Sequence, residues 1–399
     1  MDQLTHLLTK NVEKIYPDSD SLKKRLKERG RLKVYLGVDP SSNQIHLGHS
    51  ILLKKLREFQ DLGHEVILLV GDFTGMIGDP SGKDKARLPL THAQVLKNSQ
   101  TYQQQAAKIV LFSGKNSAKI LYNSKWLAKL TLKQIIELGS KFTVQQMLER
   151  DMFQERIKAG RPISLHEFIY PLLQGYDSLA MNVDVELGGS DQTFNMLVGR
   201  QLRKGQKFVI TTPLLPGLDG QKMSKSAGNT IPLTSTANEM FGRLMSLKDE
   251  LLVGYFALLT ERERRELDEM KTSLKEPSIN PMTLKLKLAK EIVGEYHGTK
   301  VAEEAETEFK KVVQGKGLPT NIPEITLERP LEAPTALEIV RLCRLASSNQ
   351  SASRLIEQGG VEIDRSLRRA PKEKVKIQGE TTLLRVGKRG FLKINWSQK

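Results

Sequence analysis

The sequence predicts an α/β fold, in which a doubly wound parallel sheet with a helical insertion is followed by an all-helical domain and a small α+β domain. Three observations predict this order. Apolar, β-branched runs recur in the first half of the chain, charge-rich helical patterns follow, and short strand patterns come after a proline-rich stretch. With 399 residues, the chain is long enough for two or three domains that each bury a core.

Five apolar runs are predicted to form the strands of the sheet, because near-continuous β-branched runs are typical of parallel strands that are buried on both faces. Between the first two runs, HLGHSILLKKLREFQDLG has apolar residues at helical spacing and stops at Gly63, which predicts a βαβ unit. The five runs are KVYLGVD from Lys33, EVILLVGDF from Glu65, KIVLF from Lys108, VDVELGG from Val183 and KFVITTPLL from Lys207.

Helical sequence at about 115–180 interrupts the series of strands, which predicts an insertion between the two halves of the sheet. The first domain, including this insertion, is predicted over 1–230. The helical domain is predicted over 231–318, since no strand pattern of comparable quality occurs from Thr234 to about Gly315.

A proline-rich stretch separates the helical domain from the C-terminal one. Four prolines within sixteen residues cannot lie in helices or central strands, which predicts a linker over 319–335. Beyond it, 336–399 is predicted to be a small α+β domain. Its helices are ALEIVRLCRL and SASRLIEQ, and its strands are VEID, VKI, TLLRV and FLKINW.

The charge balance favours a polyanionic partner. The formal net charge is +16, and residues 332–399 carry 14 Lys and Arg against 7 Asp and Glu. An excess of this size points to nucleic acid, and the C-terminal segment is the candidate for binding it. A generally basic, solvated surface is the alternative.

Secreted and membrane-spanning proteins are disfavoured. The N-terminal segment MDQLTHLLTKNVEKIYPD has no apolar core of signal-peptide length, and no later stretch reaches about 18 apolar residues, so a cytoplasmic protein is expected. The only cysteine, Cys343, excludes internal disulfides and cysteine-cluster metal sites.

The first motif that carries chemistry is His46-Leu47-Gly48-His49, between the first predicted strand and its helix. A helix N-terminus after a parallel strand has unpaired N–H groups that suit phosphate, and Gly48 lets a base or sugar approach the backbone. The alternatives are solvent-facing histidines or a metal site, and the metal is the weaker because no third ligand is near in sequence.

The second motif is Lys222-Met223-Ser224-Lys225-Ser226, on a glycine-flanked loop after the last predicted strand. Two lysines three residues apart can neutralise a departing pyrophosphate, and phosphoryl chemistry needs little more than positioning and charge. A solvated basic loop is the alternative. Together, and about 175 residues apart, the two motifs resemble the HIGH and KMSKS signatures of class I aminoacyl-tRNA synthetases, with Leu47 in place of isoleucine.

A competing phosphate-binding motif fails on inspection. The segment GDFTGMIGDPSGK ends like a P-loop, but Ile77 stands where the first glycine is needed and Asp84 follows the lysine in place of Ser or Thr. A P-loop ATPase is therefore disfavoured.

The segment from Tyr170 to Asp177 indicates which amino acid a synthetase of this kind would take as its substrate. Tyr170, Gln174 and Asp177 lie at i, i+4 and i+7, so one helical face presents all three; a polar helix surface is the bland alternative. The run resembles the amino-acid-binding helix of bacterial-type tyrosyl-tRNA synthetases. The resemblance implies that Tyr170 and Gln174 hold the substrate ammonium group and that Asp177 accepts the phenol hydrogen. It also assigns Tyr35 to the phenol, Asp79 to the ammonium group and Gln192 to the substrate carboxyl group.

The same resemblance implies an ATP site around the two motifs. Gly189 and Asp191 would contact the ribose, and Asp39 and Ser41 would line the α-phosphate and pyrophosphate region. For Asp39 and for two loop cations, Lys83 and Arg87, the alternative is an ordinary charged side chain on a solvent-exposed loop. Expected nucleotide contacts also include His46, Gly48, His49 and Lys225, and the expected catalytic residues are His46, His49, Lys222, Lys225, Ser226 and the loop cations Lys83 and Arg87.

The basic tail, with SASRLIEQGGVEID and VGKRG, resembles a small α-L RNA-binding domain that is shared with a ribosomal small-subunit protein. The resemblance as a whole implies a Rossmann-like catalytic domain with a dimerisation insertion, a helical anticodon-binding domain and a homodimer. The implied reaction is AMP-forming: tyrosine is activated with ATP, which is bound with Mg²⁺, and is then transferred to the 3′-terminal adenosine of its tRNA.

Two other functions remain open at this stage. The tryptophan-specific relative shares the fold and both nucleotide motifs. A noncatalytic RNA-binding protein on a synthetase scaffold is the other possibility, against which the intact motifs argue.

Overall fold

The structure is a computed structural model that describes residues 2–28, 30–81, 90–223, 228–276, 280–314, 322–330, 332–343, 345–346, 348–387 and 390–397. The chain divides into two compact units. The first comprises Met1–Thr236 and Ser246–Leu288, and the second comprises Ala237–Met245 and Ala289–Lys399.

The first unit contains a six-stranded sheet in the order β1-β6-β5-β2-β3-β4. All neighbouring strands are parallel except β1, which pairs antiparallel with β6 at the edge. The chain winds outward in one direction from β2 and in the other from β5, so the two strands flank the switch point of a doubly wound sheet. The strands are β1 Lys14–Tyr16, β2 Lys33–Val38, β3 Glu65–Val70, β4 Lys119–Tyr122, β5 Val185–Gly189 and β6 Phe208–Thr212.

Four of the five predicted strands are confirmed, and the run KIVLF from Lys108 is wrong as a strand. Val110 is buried, but the backbone around it pairs with side chains of the helix Leu47–Asp61 instead of a strand. Gln60 accepts from Leu111 N at 3.0 Å and donates to Leu111 O at 2.7 Å, and Arg57 donates to Ile109 O. The sheet continues with β4, which lies inside the range predicted for the insertion.

Helices surround the sheet and fill the stretch between β4 and β5. Three of them, α5, α8 and α9, begin with a capping box in which a threonine and a glutamine three residues later satisfy each other's backbone N–H groups. The helices are α1 Gln3–Thr9, α2 Ser19–Lys27, α3 Leu47–Asp61, α4 Thr74–Ile77, α5 His92–Ser99, α6 Tyr102–Ala106, α7 Ser124–Leu127, α8 Leu132–Gly139, α9 Val144–Leu148, α10 Asp151–Lys158, α11 His166–Ala180 and α12 Thr193–Leu202.

Helix α3 matches its prediction and packs on β2, β3 and β5. Its apolar face, with Ile51, Leu56 and Phe59 at helical spacing, is fully buried. The N-terminus of α3 is thereby held at the carboxyl end of β2, next to the switch point.

Helices α11 and α12 cross at unusually close range. A Cβ on Gly175 would lie 2.7 Å from Val198 Cγ1 and 3.0 Å from Gly199 N, so only hydrogen atoms fit between the two helices there. This contact fixes α11, which carries Tyr170, Gln174 and Asp177, against the sheet-side helix α12.

The stretch after β6 is helical, as predicted. Its helices are α13 Ala237–Met245, α14 Leu252–Leu259, α15 Arg264–Ser273, α16 Pro281–His297 and α17 Thr299–Phe309, and a π-helical turn follows at Lys310–Gln314. Within the second unit, α13 packs on α17. No helix in the described part of the chain is both long and apolar enough to cross a lipid bilayer.

The second unit also contains a five-stranded sheet in the order β7-β11-β10-β8-β9. Its elements are β7 Glu324–Glu328, α18 Ala336–Leu342, α19 Asn349–Glu357, β8 Val361–Ile363, β9 Ser366–Arg368, β10 Thr381–Val386 and β11 Gly390–Ser397. Ile339, Ile356, Ile363, Leu384 and Ile394 are among the buried residues of its core.

Two predictions for this region differ from the structure. The stretch predicted as a linker contains β7, an edge strand that pairs parallel with β11. Pro323 and Pro330 flank this strand, and the carbonyl oxygen of Pro323 accepts from Lys393 N at 2.9 Å; a proline at the end of an edge strand is tolerated because no ladder bond needs its missing N–H group. The run VKI, at 375–377, is not a strand: Val375 N donates to Pro334 O, and the run has no neighbouring strand.

We expect Gly175→Ala to destabilise the first unit by about 1–3 kcal/mol, because the added methyl group overpacks the crossing of α11 and α12. The measurement is the thermal or urea unfolding midpoint. Gly254→Ala in α14 is the matched control: apart from its chain neighbours and the backbone of its own helix, nothing lies within 4 Å of its added Cβ, so it should stabilise by up to about 1 kcal/mol. Equal effects of the two substitutions would contradict the packing argument.

Candidate functional site

The site lies at the carboxyl ends of β2 and β5 and on the facing side of α11. Tyr35 on β2 and Asp177 on α11 are both almost fully buried. The Tyr35 hydroxyl lies 2.9 Å from Ser178 Oγ, the residue after Asp177. Burial, together with the charges of Glu186 and Asp177, raises the pKa of Tyr35 well above its usual value, so the hydroxyl keeps its proton.

Asp177 is held by two side chains that sequence reasoning missed. Trp126 Nε1 donates to its Oδ1 at 2.7 Å, and Asn123 Nδ2 donates to its Oδ2 at 3.2 Å. Burial raises the pKa of Asp177, and these two bonds act in the opposite direction. Each carboxylate oxygen therefore accepts one bond from the protein and keeps capacity for another donor.

The other end of the pocket is a connected set of amides and carboxylates. Gln192 Nε2 donates to Asp79 Oδ2 at 2.7 Å. Asn195, a fully buried residue that was not predicted, donates to Gln174 Oε1 at 3.0 Å and to Gln192 Oε1 at 3.1 Å. The structure thus brings Asp79, Gln174 and Gln192 together, as a site for an ammonium and a carboxyl group requires.

Asp39 links this pocket to the phosphate side. Its Oδ2 accepts from the Tyr170 hydroxyl at 2.8 Å, and its Oδ1 accepts from Thr74 Oγ1 at 2.7 Å. Ser41 is exposed, and its backbone N–H donates to Asp39 O at 2.7 Å. The loop after β2 therefore turns back on itself beside Tyr170.

His46 and His49 are neutral and share one tautomer. His46 caps α3: its Nδ1 accepts from Gly48 N at 3.2 Å, and His49 Nδ1 accepts from His46 N at 3.3 Å. Burial lowers the pKa of His46 to about 2 and that of His49 to about 4, and the charge of His49 contributes to the first shift. With both Nδ1 atoms accepting, each ring carries its hydrogen on Nε2, where it can donate to a phosphate oxygen.

The two signature motifs meet in space. Leu47 N donates to Ile231 O at 2.9 Å, so the start of α3 pairs with the chain that follows the second motif. A methyl group on Gly48 would lie 3.2 Å from Met223 Sδ. Lys222 therefore extends from the chain segment that covers the first motif.

Lys222 connects the second motif to the end of β5. Its ammonium group pairs with Asp191 Oδ2 at 2.8 Å and lies 3.4 Å from Ser81 O. Gly189 precedes Asp191, and a Cβ there would lie 2.8 Å from Asp191 Oδ1, so the backbone approaches that carboxylate closely. Lys83, Arg87, Lys225 and Ser226 lie outside the described residues. Among the residues described, no group of three or more His, Cys, Asp or Glu side chains could hold a metal ion.

Comparison with known proteins identifies the class. The family model for class I tRNA synthetases (W and Y) matches residues 27–314, and the chain belongs to this family. The tyrosine–tRNA ligase of Moorella thermoacetica is 45% identical over 397 residues, which cover 98% of this chain and 95% of that protein. The tyrosine–tRNA ligase of Thermotoga maritima is 44% identical over 399 residues, covering 99% and 98%.

A solved structure agrees with these relatives. The C-terminally truncated mitochondrial tyrosyl-tRNA synthetase of Coccidioides posadasii superposes with a TM-score of 0.60, is 26% identical, and covers 77% of this chain and 91% of its own. The fold is therefore the class I synthetase fold, in agreement with the doubly wound sheet that the sequence predicts.

We expect the folded chain to lose stability as pH falls below about 6.5, because the unfolded histidines then bind protons that His46 and His49 resist down to pH values of about 2 and 4. The contribution is about 1 kcal/mol per histidine and pH unit. Unfolding midpoints between pH 7.5 and 5 should fall less steeply for His49→Asn than for the wild type. His92→Asn, at an exposed position, is the control and should keep the wild-type slope. Equal slopes for wild type and His49→Asn would contradict the assignment.

Proposed function

We propose that this chain is a tyrosine–tRNA ligase, which activates tyrosine with ATP and transfers it to the 3′-terminal adenosine of its tRNA. One observation carries the proposal: the buried Tyr35 and Asp177, which are linked through Ser178, belong to the same sheet and helix layer as the meeting point of the two signature motifs. The near full-length relatives named as tyrosine–tRNA ligases support it.

The pocket suits a phenol more than a benzene or indole ring. A phenol hydroxyl can donate to Asp177 and accept from Tyr35, whereas phenylalanine would leave both buried groups unpaired. Rejection of phenylalanine by about 10⁵-fold is already established for tyrosine-specific synthetases, and this pocket has the buried polar groups that such rejection requires. Tyr170, Gln174 and Asp79 are proposed to hold the ammonium group, and Gln192 the carboxyl group.

In the first step, a carboxylate oxygen of tyrosine attacks the α-phosphorus of ATP, which enters with Mg²⁺ as part of the substrate, and pyrophosphate leaves. His46 and His49 act as neutral Nε2–H donors to the phosphates, and Lys222 supplies positive charge. Gly48, Gly189 and Asp191 are proposed to contact the nucleotide, and Asp39 and Ser41 to line its phosphate side. Lys83, Arg87, Lys225 and Ser226 are proposed to complete the pyrophosphate site.

In the second step, a hydroxyl of the terminal adenosine of tRNA attacks the carbonyl carbon of tyrosyl-adenylate, and AMP leaves. The excess of positive charge at 332–399 supports phosphate contacts by the C-terminal domain. We place anticodon binding in the helical domain at 231–318, RNA binding in the domain at 336–399, and the protein in the cytoplasm with its substrates.

The insertion is proposed to form a homodimer interface. Leu132 and Leu165 are 76% and 77% exposed, and Ile136, Val144 and Ile157 are also exposed. Several large apolar side chains exposed within one segment of the chain, here 132–165, are typical of protein–protein contacts.

The reaction is tested by exchange of pyrophosphate into ATP with tyrosine, tryptophan and phenylalanine in turn. We expect rapid exchange with tyrosine and far slower exchange with phenylalanine and tryptophan, and a loss of about 100-fold or more in the tyrosine reaction for Asp177→Asn, which puts an NH₂ group in place of one oxygen acceptor of the phenol hydrogen. Asp20→Asn, on the exposed face of α2, is the control. Exchange with tryptophan in place of tyrosine would favour the tryptophan-specific alternative. If folded protein exchanged with none of the three and still bound RNA, the noncatalytic alternative would stand.

The dimer is tested by measuring the mass in solution. Ile136→Glu should convert a two-chain species to a single chain, because a charge cannot be buried unpaired in an apolar interface. Val301→Glu, at an exposed apolar position of α17, should leave the mass unchanged. A wild-type protein that runs as one chain would refute the dimer.

A further inference from the structure

A buried ion pair lies directly behind the tyrosine pocket. Lys207 is 0% and Glu186 is 2% exposed, and their charged groups are in contact. Glu186 is the register neighbour of Tyr35 across the parallel pair β5 and β2, and Lys207 immediately precedes β6. An ion pair at this depth is costly to desolvate, so its position calls for a function beyond stability.

The packing of α11 and α12 makes room for the ammonium group. A Cβ on Gly199 would lie 2.5 Å from Lys207 Nζ and 2.9 Å from Ser178 Oγ. The absence of a side chain at Gly199 thus leaves a space that is filled by the ammonium group and its two partners.

A chain of hydrogen bonds leads from this pair to the pocket. Lys207 Nζ lies 2.9 Å from Ser178 Oγ, and Ser178 Oγ lies 2.9 Å from the Tyr35 hydroxyl. The carboxylate of Glu186 has a partner on each oxygen besides the ammonium group: Oε2 lies 3.2 Å from Ser178 Oγ, and Oε1 accepts from Gln174 Nε2 at 3.3 Å.

The direction of donation along these hydrogen bonds follows from the groups at their two ends. An ammonium group only donates, so Lys207 occupies a lone pair of Ser178. Ser178 has one hydrogen, which can be donated to Glu186 Oε2 at 3.2 Å or to the Tyr35 oxygen at 2.9 Å. Glu186 Oε2 is in contact with Lys207 Nζ, so both lie on the same side of Ser178 Oγ; because a lone pair of Ser178 faces Nζ there, its hydrogen points away, to Tyr35. With Ser178 donating to Tyr35, the Tyr35 hydrogen is directed to the substrate phenol oxygen, and the phenol hydrogen is directed to Asp177.

Glu186 also sets the orientation of the Gln174 amide, at the proposed ammonium end of the substrate. Because Oε1 accepts from Gln174 Nε2, the amide of Gln174 is turned so that its carbonyl oxygen meets Asn195. A carbonyl oxygen, and not an NH₂ group, is what a substrate ammonium group requires.

We propose that Lys207, Glu186 and Ser178 are positioning residues for tyrosine selectivity: the buried pair orients the Ser178 hydroxyl so that Tyr35 donates to the substrate phenol, and it orients Gln174 towards the substrate ammonium group. The proposal rests on the proposed function. If the direction were reversed, Tyr35 and Asp177 would both face the phenol as acceptors, and its single hydrogen could satisfy only one of them.

The test compares kcat/KM for tyrosine with that for phenylalanine in pyrophosphate exchange. Ser178→Ala, which keeps the ion pair, and the double variant Lys207→Met with Glu186→Gln, which leaves no unpaired charge, should each lower the tyrosine-to-phenylalanine ratio. The expected fall is about tenfold, the loss of one hydrogen bond to the substrate. Ser178→Ala decides the question if the double variant does not fold.

A double-mutant cycle separates positioning from general damage. In a Tyr35→Phe background, Ser178→Ala should change the ratio no further, because the effect passes through the Tyr35 hydroxyl. Lys55→Met removes another buried lysine, one that bonds Leu7 O and Glu58, and should keep the wild-type ratio.

The outcomes are distinct. A wild-type ratio in both variants, or a full effect of Ser178→Ala without the Tyr35 hydroxyl, would overturn the positioning role and leave the proposed function intact. A wild-type protein without tyrosine-dependent exchange would remove both proposals together.

Discussion

The site depends on the burial of two carboxylates, Asp177 and Glu186, within one small pocket. Like charges this deep repel each other and are poorly solvated, so each needs its own set of donors. Asp177 has the N–H groups of Trp126 and Asn123, while Glu186 has the Lys207 ammonium group and the Gln174 amide. The unequal donor sets leave Asp177 with capacity for the phenol of the proposed substrate, whereas Glu186 is occupied by protein groups.

Close packing of the surrounding helices makes these donor sets possible. The glycines at the crossing of α11 and α12 let the helices approach until Lys207 and Ser178 share one space. Because α11 also carries Tyr170 and Gln174, the same crossing sets the distance between the residues proposed to bind the phenol and those proposed to bind the ammonium group. The close packing of α11 and α12 therefore also fixes the positions of the buried polar groups.

On the phosphate side, positioning and charge come from different residues. His46 and His49 are uncharged donors whose tautomer is set by backbone N–H groups of their own helix turn. Positive charge comes from lysine on the chain segment that lies over the first motif. Neutral donors leave no unpaired buried charge when the nucleotide is absent. A lysine on a separate segment can be positioned for the charge that would develop on pyrophosphate in the proposed reaction.

The sequence by itself determined four of the five parallel strands (β2, β3, β5 and β6), helix α3 and the presence of both signature motifs, because these depend on local periodicity and on residue types at fixed spacing. It did not determine strand membership where periodicity is ambiguous. The run at Lys108 has the composition of a strand, but Gln60 and Arg57 bond its backbone at Leu111 and Ile109. Strand β7 lies between prolines, which in the sequence indicate a linker. Only the tertiary structure showed that Asn123, Trp126, Asn195, Ser178 and the Lys207–Glu186 pair form hydrogen bonds with the predicted site residues. Their importance arises from hydrogen bonds between residues far apart in the chain, or from the direction in which a hydroxyl points, and neither leaves a pattern in one sequence.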